Sequence, residues 1–297
     1  MNRYNFNKTD HVHSLDEKEL MGCSTIVGII NKPLQWWVAE QTLLPFGWQK
    51  YNKKVKGKYQ IVPDKVRLPG VQQMQAVVSE MKPKVFLEFL DSCYKNHNVK
   101  KDKAAEKGTD LHSKLEVWVK LCMDHFEGKP IAEPIEGIEL FTDWARSNVK
   151  TFLWSEMHTY SEVLWTGGVA DVGWLDHEDR VVAGDFKSAK DVWFSHFIQL
   201  AGYNIMLEES GGYTAEGEKI FDLPKPAERY CIAAFGKEVF DPIILDYVDD
   251  FKAAFKSSVH LYKLSKLFDK VKLEINKASM KAAEPSKTAT LAELLAA

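Results

Sequence analysis

Apolar positions along the chain change their period near residue 150. Upstream they recur at helical spacing, and downstream they gather in β-rich runs separated by polar turns. The spacing predicts helices over 34–44, 70–97 and 109–126. In the last of these Leu111, Leu115, Trp118, Val119 and Cys122 fall near one face. An apolar run over 24–30, ended by Asn31-Lys-Pro33, precedes the first. The stretch Lys100-Lys-Asp-Lys-Ala-Ala-Glu-Lys-Gly108 reads as a charged connector ending in a turn residue, a candidate mobile loop. Beyond 150 the runs 161–175 and 181–188 flank the polar tip 176–180, the sign of a hairpin. A helix over 194–207 follows, with Phe197, Ile198, Leu200, Ala201, Ile205 and Met206 available for packing, then a strand over 229–235 and a helix over 247–267. The tail after Lys277, rich in Ala, Lys and Ser, is expected to lack order until Leu291-Ala-Glu-Leu-Leu295. No internal repeat is visible.

Composition adds bounds. With 297 residues, 45% of them hydrophobic, the chain can bury a large core in one or two domains. No run approaches the roughly 18 apolar residues that span a bilayer. The start, Met1-Asn-Arg-Tyr-Asn-Phe-Asn-Lys, lacks the apolar core of a secretory signal, so a cytosolic address and no membrane partner are expected. Cys23, Cys93, Cys122 and Cys231 form no C-x-x-C pair, which argues against a zinc knuckle or disulfide framework and for buried thiols. The net charge of −3 hides a basic segment: residues 49–107 hold fourteen Lys/Arg against six Asp/Glu. Such an excess suits a polyanion, although Lys53-Lys54-Val-Lys56-Gly-Lys58 could equally be a solvated loop or hairpin. Trp36, Trp37, Trp48 and Tyr51 could line a channel in which bases stack, or belong to a core.

The candidate chemistry sits on the hairpin. On a pleated strand Asp185 and Lys187 share a face, Phe186 takes the other, and Asp171 on the partner strand can approach the same point. Two carboxylates beside a carbonyl, that of Phe186, make a hard-oxygen site for Mg²⁺ or Mn²⁺. Lys187 beside it can orient a water or stabilise charge on a phosphorane. An Asp-x-Lys on a strand is more often an exposed ion pair. Here Val181, Val182, Ala183 and Phe186 indicate an inner strand, where a charged pair needs a reason to exist. Gly167 and Gly168 would let a ligand backbone come close.

The series Gly108-Thr-Asp-Leu-His112, Gly168-Val-Ala-Asp171, Asp185-Phe-Lys187-Ser188 and Gln199-Leu-Ala-Gly-Tyr203 resembles the RecB/Cas4-like branch of the PD-(D/E)XK nuclease superfamily. It is most similar to the phage and mitochondrial exonucleases of that branch, and the start Cys23-Ser-Thr-Ile-Val-Gly with Lys32-Pro-Leu-Gln-Trp-Trp37 is similar to that of phage members. The resemblance spans roughly residues 22–265. It implies an α/β, restriction-endonuclease-like core with a central mixed β-sheet flanked by helices over 108–270; with the charge and composition above, the expected division adds a mostly helical, basic DNA-channel region over 1–107 and a partly disordered tail over 271–297. It further implies that Asp171, Asp185 and Lys187 are catalytic, and that His112, Asp171, Asp185 and Phe186 hold the metal. Gln199, Tyr203, Ser188 and Glu156 would support the site or the nucleic-acid backbone. Read without the family, His112 could be a hydrogen-bonded histidine at the edge of an apolar face, and Gln199 with Tyr203 a polar stripe on a packed helix.

Departures from the family matter as well. Beyond Cys122 the sequence holds Cys231 alone, so the four-cysteine iron–sulfur cluster of Cas4 proteins is not expected. There is no Gly-x-x-x-x-Gly-Lys-Ser/Thr loop, so a helicase, like a single-strand-binding protein, would be a separate partner. The expected activity is that of a Mg²⁺- or Mn²⁺-dependent deoxyribonuclease acting on DNA ends, single-stranded ones included, in a bacterial or phage-infected cytosol. The alternatives are a non-catalytic DNA-binding recombination accessory on the same fold, an endonuclease or an RNase.

Overall fold

The computed structural model describes residues 3–30, 35–50, 52–55, 58–131, 133, 135–189, 191–235 and 240–283. The chain opens with a small antiparallel sheet of β1 (Tyr4–Asn7), β2 (Val12–Leu15) and β3 (Lys18–Glu19). Asp16 and Glu17, both at positive φ, form the tight turn between the last two. Tyr4 and Leu15 are paired across this sheet and pack with Leu20 and Tyr160. The region expected to be mostly helical therefore begins with strands. At four residues or fewer, they are too short for a two-residue period to register in the sequence.

Next come β4 (Met21–Gly22), α1 (Cys23–Val27) and α2 (Gln35–Leu43). A hairpin of β5 (Asn52–Val55) and β6 (Lys58–Ile61) carries the lysine-rich motif, and α3 (Asp64–Ser79) follows it. The helix read over 70–97 is broken at 80–82, where Pro83 takes the first turn of α4 (Pro83–His125). That helix runs through 100–108 without interruption, so the candidate mobile loop is helical. Ala104, Ala105, Glu106 and Lys107 are strong helix formers. Gly108, which costs about 1 kcal/mol relative to Ala, is explained by a close approach: a Cβ there would lie 3.1 Å from Ser188 Oγ.

The remaining elements are α5 (Glu139–Asn148), β7 (Thr151–Ser161), β8 (Thr166–Leu175), β9 (Val181–Lys187), α6 (Phe194–Ser210), β10 (Gly212–Tyr213), β11 (Lys219–Phe221), β12 (Arg229–Ala234), β13 (Ile243–Leu245) and α7 (Val248–Ala283). The run read as 161–175 is thus the end of one strand, a turn and a second strand. The main sheet has the order β11-β10-β7-β8-β9-β12-β13, with β4 pairing in parallel with the start of β8. It is mixed: β9 and β12 are parallel and bridged by α6, whereas β7, β8 and β9 are antiparallel neighbours.

Each face of this sheet is buried by helices, which makes the protein a mixed α/β fold. On one face Trp154, Ala183 and Ile232 pack against Ile26 of α1, Ile198 and Ala201 of α6 and Phe255 of α7. On the other, Val172, Trp174 and Phe186 pack against Leu115, Trp118 and Val119 of α4 and Phe141 of α5. The Phe141 and Phe186 rings meet edge to face at 5.2 Å. This contact anchors the strand that carries Asp185 and Lys187, and truncating such a ring costs about 3–5 kcal/mol.

The expected boundaries after 107 and 270 both fall inside helices, α4 and α7. Cys23, Ile26 and Val27 belong to the main core, so the first part of the chain is not set apart from it. Helix α7 continues to Ala283, past the expected start of the tail; residues 284–297, including Leu291-Ala-Glu-Leu-Leu295, lie outside the described residues. All four cysteines are buried and free. No helix among the described residues is long and apolar enough to cross a membrane.

Candidate active site

The site forms where two strands part. β8 and β9 pair from Leu175 opposite Val181 to Val172 opposite Gly184 and then stop, just before Asp171 would face Asp185. One edge of β9 is left without a neighbouring strand, and backbone groups cannot stay buried and unsatisfied. Side chains take over. The Phe186 N–H donates to Asp171 Oδ2 at 2.8 Å, and the Phe186 carbonyl accepts from His112 Nε2 at 3.0 Å. Because a carbonyl only accepts, Nε2 carries the hydrogen, and Nδ1 is left facing Glu156 Oε1 at 3.5 Å and Asp171 Oδ2 at 3.8 Å.

Glu156 reaches this point through a distortion of β7. Ser155 pairs with Val172 and Met157 with Ala170, while Glu156 between them has φ +47°. Opposite it the alternation of β8 skips a residue: Ala170 packs with the α6-side core and Val172 with the α4-side core. Residues two apart on a regular strand would share a face. A left-handed non-glycine residue costs on the order of 1–3 kcal/mol and persists only where its surroundings impose it. Here the pairs on either side impose it, and the result aims a carboxylate at His112. One ligand atom each from His112, Glu156 and Asp171 lie within 4.8 Å of one another.

Asp185 stands outside that triad. Its Oδ1 accepts from Lys187 Nζ at 2.7 Å, whereas Oδ2 lies 2.6 Å from the ammonium and has no hydrogen-bond partner among the described residues. Asp185 is fully buried and Lys187 half-buried. Burial pushes the Asp185 carboxyl up to about 6, with Lys187 pulling it down and Asp171 pushing it further up. Burial also opposes the charge on Lys187, but Asp185 and Asp171 together outweigh it and hold the ammonium above its ordinary value. At neutral pH the pair stays charged. Asp171 is raised too, chiefly by burial, against the pull of Lys187. For His112 burial is the largest single influence and lowers it, but the contact with Glu156 and the charges of Asp171 and Glu156 lift the imidazole to about 9.

Helix α6 closes the other side. Gln199 Nε2 donates to the Tyr203 hydroxyl at 2.6 Å, and Cys23 Sγ–H donates to the Gln199 carbonyl at 3.4 Å. Burial lifts both the Tyr203 phenol and the Cys23 thiol well above their ordinary values, so neither is an anion. Gly167 and Gly168 do not open a path for a ligand. A Cβ on Gly168 would stand 2.5 Å from the Tyr203 ring, and one on Gly167 would stand 2.7 Å from His13 Cβ, so the protein's own side chains fill the space. Ser188 is exposed at the end of β9 beside Gly108.

His112, Glu156, Asp171, Asp185, Phe186 and Lys187 thus converge on one point, and two roles read from the sequence shift. Glu156 joins the donor triad in place of Asp185, and the Phe186 carbonyl is engaged by His112. Only the family resemblance points to Glu156, and then as a supporting residue; its place in the triad depends on the φ +47° backbone. A cleft of about 590 Å³ opens beside Glu156, lined also by Phe6, Lys8, Lys120, His158 and Tyr213. Of the aromatic residues proposed for a channel, Trp37 is exposed on α2 and Trp48 is half-buried. Residues 32–34, Tyr51 and Lys56, and the side chains of Trp36, Lys53 and Lys54, lie outside the described residues.

His112, Glu156 and Asp171 could together hold a divalent cation. Octahedral Mg²⁺ with bonds of about 2.0–2.1 Å holds adjacent donors about 3 Å apart. The separations from His112 Nδ1 are 3.5 and 3.8 Å, so these two pairs would close by about 0.5 and 0.8 Å to reach that spacing. The two carboxylates suit Mg²⁺ or Mn²⁺, and the imidazole is a donor that later first-row divalent metals accept as well. No protein-family model matches the chain, and no curated protein matches it in sequence.

Proposed function

We propose that this chain is a Mg²⁺- or Mn²⁺-dependent deoxyribonuclease with a restriction-endonuclease-like core, hydrolysing phosphodiester bonds at DNA ends. The observation that carries the reading is the placement of a His112–Glu156–Asp171 donor triad beside the buried Asp185–Lys187 pair where β8 and β9 part. A fold gains little from burying two carboxylates beside a half-buried third, since each buried charge must be compensated. A phosphodiester-cleaving centre needs them.

His112, Glu156 and Asp171 would hold the cation, which when bound polarises a phosphoryl oxygen and acidifies a water. Lys187, charged at neutral pH and fixed by Asp185, presents its ammonium to the negative charge that builds on the phosphoryl oxygens during attack. Asp185, buried against the ammonium, fixes the position of Lys187 rather than meeting the attacking water itself. Gln199 and Tyr203 pack beside Cys23 and limit the site on the α6 side. The preference for DNA ends comes from the resemblance of the sequence motifs.

The test compares the wild type with Lys187→Ala and Asp171→Asn on labelled linear and circular DNA, with Mg²⁺, Mn²⁺ or chelator. Wild type should degrade linear DNA only with metal, and each variant should lose about 100-fold or more in rate. No cleavage of single- or double-stranded DNA with either metal would sink the enzyme reading. Cleavage of circles would replace an exonuclease by an endonuclease.

A further inference from the structure

Helix α7 leaves the body of the protein part-way along its length. Phe255, Ser258 and Val259 are buried against the core, yet from residue 266 to 276 every residue is exposed. A helix with no neighbours is stable in water when its surface is polar all round. This one is not. Leu261, Leu264, Phe268, Val271 and Ile275 follow one another at spacings of three, four, three and four, and Leu267 lies alongside them. These six side chains are between 45% and 66% exposed. Lys263, Lys266 and Lys270 occupy the opposite face.

Alternating three and four gives a mean period of 3.5, the repeat that keeps an apolar seam facing a second helix. Single exposed leucines are ordinary, but a continuous apolar stripe marks a contact surface. We infer that the outer part of α7 is a self-association surface, and that its occupant is the same helix of a second copy of this chain. Area supports that occupant. Covering the six side chains removes roughly 600 Å² per chain, hence roughly 1,200 Å² for the pair, the lower end for a specific interface. Charge allows it too: the positions flanking the seam are Ser265, Leu267, Lys272 and Glu274, one charge of each sign, so no row of like charges meets across it. An acidic partner protein would be drawn by lysines on the seam's borders, whereas Lys263, Lys266 and Lys270 lie behind it. With about two heptads in contact, the association is concentration-dependent.

Sedimentation equilibrium of the full chain over a range of micromolar concentrations tests this. The mass should rise from 33.9 kDa toward twice that value with concentration. Phe268→Glu with Val271→Glu, both on the surface, should weaken association about 100-fold, with circular dichroism spectra and melting temperatures that match wild type at concentrations where both are monomers. Lys266→Glu with Lys270→Glu, on the opposite face, should leave the mass curve in place. A wild type that stays monomeric overturns the proposal, as does a dimer that survives the Phe268→Glu, Val271→Glu change. A monomer that dimerises only after Leu291→Glu with Leu294→Glu would show that the chain's own tail covers the stripe, which also overturns it.

Discussion

Lys187 and Asp185 are bound to each other more tightly than to anything else, and their energies are inseparable. Deleting the ammonium leaves a fully buried carboxylate without its counter-charge, a change that typically costs about 3–5 kcal/mol. Removing both charges leaves no orphan. Lys187→Met should therefore lower the urea midpoint markedly, and Asp185→Asn with Lys187→Met should recover most of the loss, while neither variant cleaves DNA. A pair of variants equally stable to wild type would mean that the ion pair is solvated. The donor triad makes a separate prediction. Binding to the folded state alone raises stability by mass action, so saturating Mn²⁺ should raise the melting temperature of wild type, and His112→Ala or Glu156→Gln should abolish the rise. An equal rise in these variants would place the cation elsewhere. Asp185 and Lys187 were legible in the sequence because a two-residue period fixes their common face. The role of Glu156 was not, because its aim depends on a left-handed backbone and a skipped pairing that no local pattern announces.

At the scale of elements, the N-terminal sheet is held by a titratable cluster. The Tyr4 hydroxyl and His13 Nδ1 are hydrogen-bonded at 2.6 Å, and Tyr4 stacks on Tyr160 at 5.3 Å. Burial, with repulsion from His158 and His11, lowers the His13 imidazole to about 4. In the unfolded chain it protonates near the ordinary 6.5. Between those values the unfolded chain binds the extra proton, so the stability contributed by neutral His13 is complete above pH 6.5 and lost as pH falls toward 4. The loss should reach about 2 kcal/mol at pH 5. Asp185, raised by burial, works in the opposite direction, so the useful quantity is the difference between wild type and His13→Gln in denaturant midpoints across this window. Parallel pH profiles for the two would remove His13 from the account. Sequence pattern located α2, α6 and the β8–β9 hairpin, each long enough to show a period. It missed β1 to β3, which are too short, and it broke α4 at Gly108, whose lack of a side chain serves the approach of Ser188 rather than a turn.

At the scale of the whole molecule, charge is distributed so that the basic half of α4 leads outward from the candidate site. Lys100, Lys101, Lys103 and Lys107 are exposed on the same continuous helix that carries His112. Lys100 stands about 18 Å along the axis from His112, and Lys107 about 7.5 Å, so the lysines span a length that several phosphates of a bound strand can follow. Had residues 100–108 been a loop, these charges would have had no fixed relation to the site; on a helix they do. Each lysine that neutralises a phosphate releases counterions, and the slope of log K against log salt changes by about 0.7–0.9 for each phosphate that is no longer neutralised. Replacing all four by Ala should lower affinity for DNA at low salt and flatten that slope by up to about three, measured by fluorescence anisotropy with chelator present so that no substrate is cut. Helix content should not fall, because Ala is the strongest helix former. An unaltered slope would assign these lysines to solvent and would require the nucleic acid to approach from the other side, across the cleft lined by Lys8 and Lys120.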